Sequence, residues 1–354
     1  MHEPDFERIK TAAARKEGGY VPPAELLVHY SIQSAFLGRK VTDDDLPGQV
    51  EFWTRAGYDF IPITVGMMNP GKVTEDSAIS KVIKERVVPG AGKGGASWNL
   101  EENSFIADRK DFELFPWDAL GALDFGKFDQ VRGLLPEKMK VIALSGKIFT
   151  LTWMLMGFNN FATKLIVEED LVADVFRRVA EIQLDCLERI LEMPHVGAVW
   201  LVDDLAFGSG PMIAPGALRT HVFPWYRKIA ERCHERGLLV FFHTDGDLWK
   251  LLDDFVEIGV DVLHPIDPHC MDIKTLKENY GDRLCFAGNV SNELLRSASP
   301  AEVEDRVRYL MENVGPGGGF LLGSGNSVPE WARFENYMAM RAATFRYGGY
   351  PIRV

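Results

Sequence analysis

The chain has 354 residues, 46% of them apolar, and 39 basic against 51 acidic side chains give a formal charge of −12. The apolar share is ordinary for a folded globular protein. The acidic balance disfavours nucleic acid or anionic lipid as partner, because both require a basic surface that releases counterions, so a small molecule is expected instead.

Residues 1–15 mix charged and apolar side chains at helical spacing, with no unbroken apolar run. They read as neither a secretory signal nor a membrane span, and a soluble cytoplasmic protein is expected. An extended segment near 21–27 and an apolar run at 60–65 read as the first two strands, the second preceded by an amphipathic helix over 43–57. Residues 67–132 are far too long for a minimal strand-to-helix connection. They carry Gly90, Gly92, Gly94 and Gly95, then Trp98, Phe105, Phe112, Phe115 and Trp117. A long insertion after an early strand is expected to lie over the catalytic face as a partly helical lid.

From about Val141 the pattern becomes regular: a short apolar run, a polar turn, then a segment of helical period. Candidate strands fall at 141–145, 198–202, 238–242, 260–263, 284–287 and 319–322. With the two earlier runs they make eight, and alternation of this kind predicts a (β/α)8 TIM barrel formed as a single domain over 1–354. The helix signals agree. Residues 168–193 carry a stripe through Leu171, Val175, Val179 and Ile182, and Ser299, Pro300 and Glu302 make a capping box. Pro224 predicts a kink or break in a helix over 217–236.

Three strand ends carry groups able to do chemistry, and a barrel brings them to one mouth. They are Asp203-Asp204, then His243-Thr244-Asp245-Gly246, then Gly288-Asn289. Successive strand residues face opposite sides, so one of Asp203 and Asp204 enters the pocket while the other caps a turn. Crowding with Asp245 should raise a carboxyl pKa and give a proton donor or base near neutrality. His243 suits acid/base work or metal ligation, with Asp245 as its partner at a metal. His264, Asp267, His269 and Cys270 form another group, read mainly as turn chemistry, with Asp272 capping the next helix. Gly323, Ser324 and Asn326, after the last strand, could cradle a carboxylate or phosphate through backbone N–H groups. Cys186, Cys233, Cys270 and Cys285 include no CxxC pair, which argues against a disulfide framework or a thiolate zinc knuckle.

The stretches FHTDGDLWKLLDDFVEIGVDVLHPIDP, MDIKTLKENYGDRLCFAGNVS, GPGGGFLLGSGNSVP and ENYMAM resemble the uroporphyrinogen decarboxylase superfamily, strongly from about Ala198 to Tyr350 and more weakly from Tyr20. That resemblance implies a (β/α)8 barrel acting either as a tetrapyrrole decarboxylase or as a cobalamin-dependent methyltransferase working with a corrinoid protein, and it makes a homodimer plausible. Two departures bear on the choice. The decarboxylase segment resembling RQAGRYLPEY holds substrate carboxylates with arginines, whereas residues 19–27, GYVPPAELL, contain none. The zinc motif of the thiol-directed methyltransferases resembles HxC plus a later Cys, whereas here stand His243-Thr244-Asp245 and Ser324. Oxygen ligands replace both thiolates, a harder set that could still hold zinc or another divalent ion. Methyl transfer between a small methylated substrate and a corrinoid is therefore the leading expectation. Decarboxylation with Asp203 or Asp204 handling the proton is the second, and a noncatalytic tetrapyrrole-binding scaffold the third.

Overall fold

The computed structural model describes residues 3–65, 104–120 and 123–353. Its main sheet is parallel, built from β1 (Phe60–Thr64), β2 (Lys140–Ser145) and β3 (Val196–Val202), then β6 (Leu239–His243), β7 (Val262–His264), β8 (Cys285–Val290) and β9 (Phe320–Ser324) in that spatial order. Between β3 and β6 a small antiparallel hairpin, β4 (Ala206–Phe207) and β5 (Gly210–Pro211), folds beside the sheet. The eighth stave is residues 21–28, joined to β9 by parallel bridges at Pro23 and Leu322 and carried on by Val28 and Val328. Pro22 and Pro23 have no N–H to donate, so this stave holds isolated bridges where a continuous ladder was expected.

Alternation along the staves separates two cores. Ala24, Leu26, Phe60, Ile142, Leu144, Trp200, Phe241, Val262, Ala287 and Leu321 pack together inside the curled sheet. The intervening residues face the helices. This is the interior and shell of a (β/α)8 barrel. Phe6, Ile9, Ala12 and Ala13, on and beside the helix Glu7–Ala13, join the inner cluster, so that helix closes the end where the strands begin.

The helices follow their sequence signals. The long one runs Glu169–Leu191. The expected break occurs at Val222, between Pro215–His221 and Phe223–Glu235, with Pro224 in the first turn of the second helix. The capping box at Ser299 and Glu302 opens Pro300–Asn313, and Asp272 caps Ile273–Tyr280. The helix expected over 43–57 is trimmed to Leu46–Arg55, with Asp45 as its cap.

Most of the expected lid, residues 67–103 with its glycines and Trp98, lies outside the described residues. In its C-terminal part Phe105, Phe115 and Trp117 are buried, and the rings of Phe115 and Trp117 lie 4.7 Å apart. No helix among the described residues is long and apolar enough to cross a membrane.

Candidate active site

Strand phase decides which acid faces the mouth. Trp200 points inward on β3, so Val202 and then Asp204 continue the inner face while Asp203 turns outward. Asp203 is wholly buried there, outside the mouth. Its two carboxylate oxygens accept the backbone N–H of Phe149 at 2.6 Å and of Thr150 at 2.7 Å, and the Tyr226 hydroxyl donates to it as well. Burial pushes it up to about 6 against those hydrogen bonds. It anchors the first turn of the helix Ile148–Met156.

Asp204 stands at the rim, its side chain 53% exposed, with Oδ1 3.8 Å from Nε2 of His243. His243 ends β6 on the inner face and is buried, and burial lowers it to about 4. Asp245 is pushed up to about 7, first by burial and then by the charges of Asp204 and Asp267. Asn326 donates from Nδ2 to Asp245 Oδ2 at 2.6 Å and so fixes that carboxyl. One potential ligand atom each from Asp204, His243 and Asp245 lies within 4.8 Å of the others. An imidazole and two carboxylates at one rim are a donor set that suits a divalent cation with an open position for substrate.

Other expected site residues turn out to be internally committed. Asn289 is buried, with Nδ2 donating to the Ile266 carbonyl at 2.8 Å and Oδ1 accepting from Arg306 at 2.9 Å, so it staples β8 to its neighbours. Ser324 donates its N–H and hydroxyl to Glu25, and the Gly325 N–H goes to the Val290 carbonyl. A Cβ on Gly323 would sit 1.9 Å from the Ala24 carbonyl oxygen, so this glycine admits the eighth stave. The expected cradle therefore contributes Asn326 to the mouth, through its bond to Asp245. Cys270 donates its thiol to Asp267 at 3.3 Å and is pushed up to about 11, chiefly by burial. His269 is exposed and donates its backbone N–H to Asp267.

Three residues carry more than their sequence context suggested. His264, directly across from His243 in the β6 and β7 register, places its Nδ1 2.9 Å from Nδ1 of His243. Its signal was its position at the end of an apolar strand, the same position His243 occupies. Lys147, on the turn after β2, lies close enough to disfavour protonation of His243. Glu25, the single acid within residues 19–27, is buried against Ser324.

A parallel barrel with an ionisable cluster at the ends of its strands belongs to the class of (β/α)8 enzymes. Residues 127–347, more than half of the chain, match the family model for uroporphyrinogen decarboxylase. The chain belongs to that family of enzymes. No curated protein sequence matches it. Among solved structures it is similar to a methyltransferase from Methanosarcina mazei, at 14% identity and a TM-score of 0.68 over 98% of this chain and 99% of that one, a likeness of fold. A sugar phosphate isomerase/epimerase from Parabacteroides distasonis, at 13% identity over 95% of this chain and 99% of that one, reaches a TM-score of 0.40.

Proposed function

We propose that this protein is a methyltransferase that moves a methyl group between a small methylated substrate and a corrinoid carried by a partner protein. The observation that carries the reading is the meeting of Asp204, His243 and Asp245 within 4.8 Å at the mouth. The family membership and the fold shared with the Methanosarcina methyltransferase support it. The arginine-free segment 19–27 argues in the same direction, because a substrate bearing many carboxylates would meet an acidic rim without matching cations.

In this reading Asp204, His243 and Asp245 would hold a divalent ion, with zinc the first candidate, and the ion would polarise the substrate heteroatom that carries the methyl group. Asn326 keeps the Asp245 carboxyl in place, and His243 presents Nε2 on the rim side. Asp203 acts at one remove, fixing the helix that begins beside Lys147.

The test has two arms. Protein purified without added zinc should hold a divalent metal that His243→Ala lacks; absence of stoichiometric metal from both removes the metal. Methylcobalamin, rather than uroporphyrin, should perturb the protein spectrum, and the reverse result overturns methyl transfer in favour of a decarboxylase. One observation favours that second reading: Asp245, at about 7, could deliver a proton near neutral pH.

A further inference from the structure

Buried side chains from three separate elements hold the turn that follows β2. Gln183, on the helix Glu169–Leu191, accepts the Gly146 N–H at 3.1 Å and the Ser145 hydroxyl at 3.3 Å through Oε1. The hydroxyl of Tyr226, on the helix Phe223–Glu235, accepts the Ile148 N–H at 3.1 Å and reaches both the Gly146 carbonyl and the Asp203 carboxylate. Asp203, just beyond β3, takes the next two N–H groups, those of Phe149 and Thr150. Gly146 sits at φ 89°, a backbone conformation that strains any residue with a Cβ. The path of the chain through residue 147 is therefore fixed.

Lys147 is what this turn presents. Leu144 faces the barrel interior, so strict alternation along β2 would send position 147 to the shell. The left-handed step at Gly146 ends that alternation, and the Lys147 charge acts on His243, an inner-face residue of β6. The side chain is half-buried, and its ammonium has no hydrogen-bond or ion-pair partner among the described residues. Around it the mouth is acidic: the charges acting on Asp245 and Cys270 are those of Asp204, Asp245, Asp247 and Asp267. A held, half-buried cation that pairs with none of these carboxylates is free to take an anion that enters from outside.

We infer that Lys147 is a substrate-binding residue that holds one carboxylate of the substrate while the methyl-bearing heteroatom lies toward Asp204, His243 and Asp245. The substrate class becomes a small methylated monocarboxylic acid. One fixed cation neutralises one carboxylate, and the acids beyond it repel a second. The inference deepens the function proposed above and rests on it for the methyl group.

Methoxyacetate and 2-methoxyethanol are the probes, alike in their methoxy end and different in the carboxylate. Ligand-observed NMR gives their affinities for the full chain, with and without Zn2+. Wild type should bind methoxyacetate about tenfold or more tightly than 2-methoxyethanol. Lys147→Gln should lose that preference and leave 2-methoxyethanol binding unchanged, and Lys147→Arg should keep most of the preference. No preference in wild type, or a preference that survives Lys147→Gln, overturns the inference. The Lys147 side chain takes no part in the bonds that hold the turn, so the variants should fold as wild type does; if Lys147→Gln does not, Lys147→Met makes the same comparison. A preference that depends on Lys147 while the metal and methylcobalamin arms above both fail keeps the carboxylate site and removes methyl transfer. Success of those arms without the preference removes Lys147 alone.

Discussion

At Glu25 hydrogen bonding and burial oppose each other, and burial prevails. Ser324 donates its N–H at 2.8 Å and its hydroxyl at 2.5 Å to the two carboxylate oxygens, which favours the ionised form, yet the enclosed side chain is pushed from 4.5 up to about 8. A carboxyl whose folded value lies above its unfolded one binds its proton more tightly in the native state. Its stabilisation is complete below about pH 4.5 and is lost as the pH rises through about 8. Asp203 and Asp245, at about 6 and about 7, slope in the same direction, so Glu25 accounts for the upper part of the fall. In urea titrations across this range, Glu25→Gln should retain on the order of 3 kcal/mol that wild type loses. Parallel curves for the two proteins would refute the assignment. None of this was legible in the sequence, because the partner of Glu25 lies 299 residues away. The pairing of one inward and one outward acid at Asp203-Asp204 was legible from two-residue periodicity alone; which acid faces in depends on strand phase, and only packing sets that.

Elements were easier to read than their ends. The strand expected at 260–263 begins at Val262, because Gly259 ends the preceding helix Leu252–Ile258 in the left-handed region and the Val260 N–H still bonds the Phe255 carbonyl. Val260 is thus spent on a helix cap that apolar patterning cannot distinguish from a strand. The strand expected at 284–287 runs on to Val290, which carries Asn289 into the sheet, where neighbours take both ends of its amide. Asp203 shows how one side chain ties two elements together. It joins the end of β3 to the first turn of Ile148–Met156 through two N–H groups that have no intrahelical partner. Asp203→Asn removes one of those acceptors inside the shell and should cost about 3 kcal/mol. Asp204→Asn, at the exposed rim, should change stability by about 0.5 kcal/mol or less while weakening metal binding. Thermal unfolding and zinc titration of both variants separate the roles, and the reverse pattern would exchange them.

Across the whole molecule, the helix Glu7–Ala13 and the proposed site occupy opposite ends of the barrel. Where the strands begin, the helix Glu7–Ala13 is tied down by Arg8 to Asp59 at 2.7 Å and by the Phe6 N–H to the Lys138 carbonyl at 3.0 Å. Phe6 lies over the start of β3 so closely that a Cβ on Gly197 would stand 2.5 Å from its ring. Phe6→Ala should cost about 3–5 kcal/mol through the cavity it leaves. Gly197→Ala should cost about 1–3 kcal/mol through overpacking. The same contact causes both losses, so they should not add: in the double variant the methyl group introduced at position 197 enters the space Phe6 vacates, and the combined loss should fall short of the sum by about 1–2 kcal/mol. Strict additivity would show that Gly197 is needed for some reason other than Phe6. The mouth, at the far end of the same strands, should be indifferent to all three variants, with zinc affinity within about twofold of wild type for independent, distant sites. A loss of affinity that tracked the loss of stability would mean that the cluster of Asp204, His243 and Asp245 depends on how the opposite end of the barrel is packed.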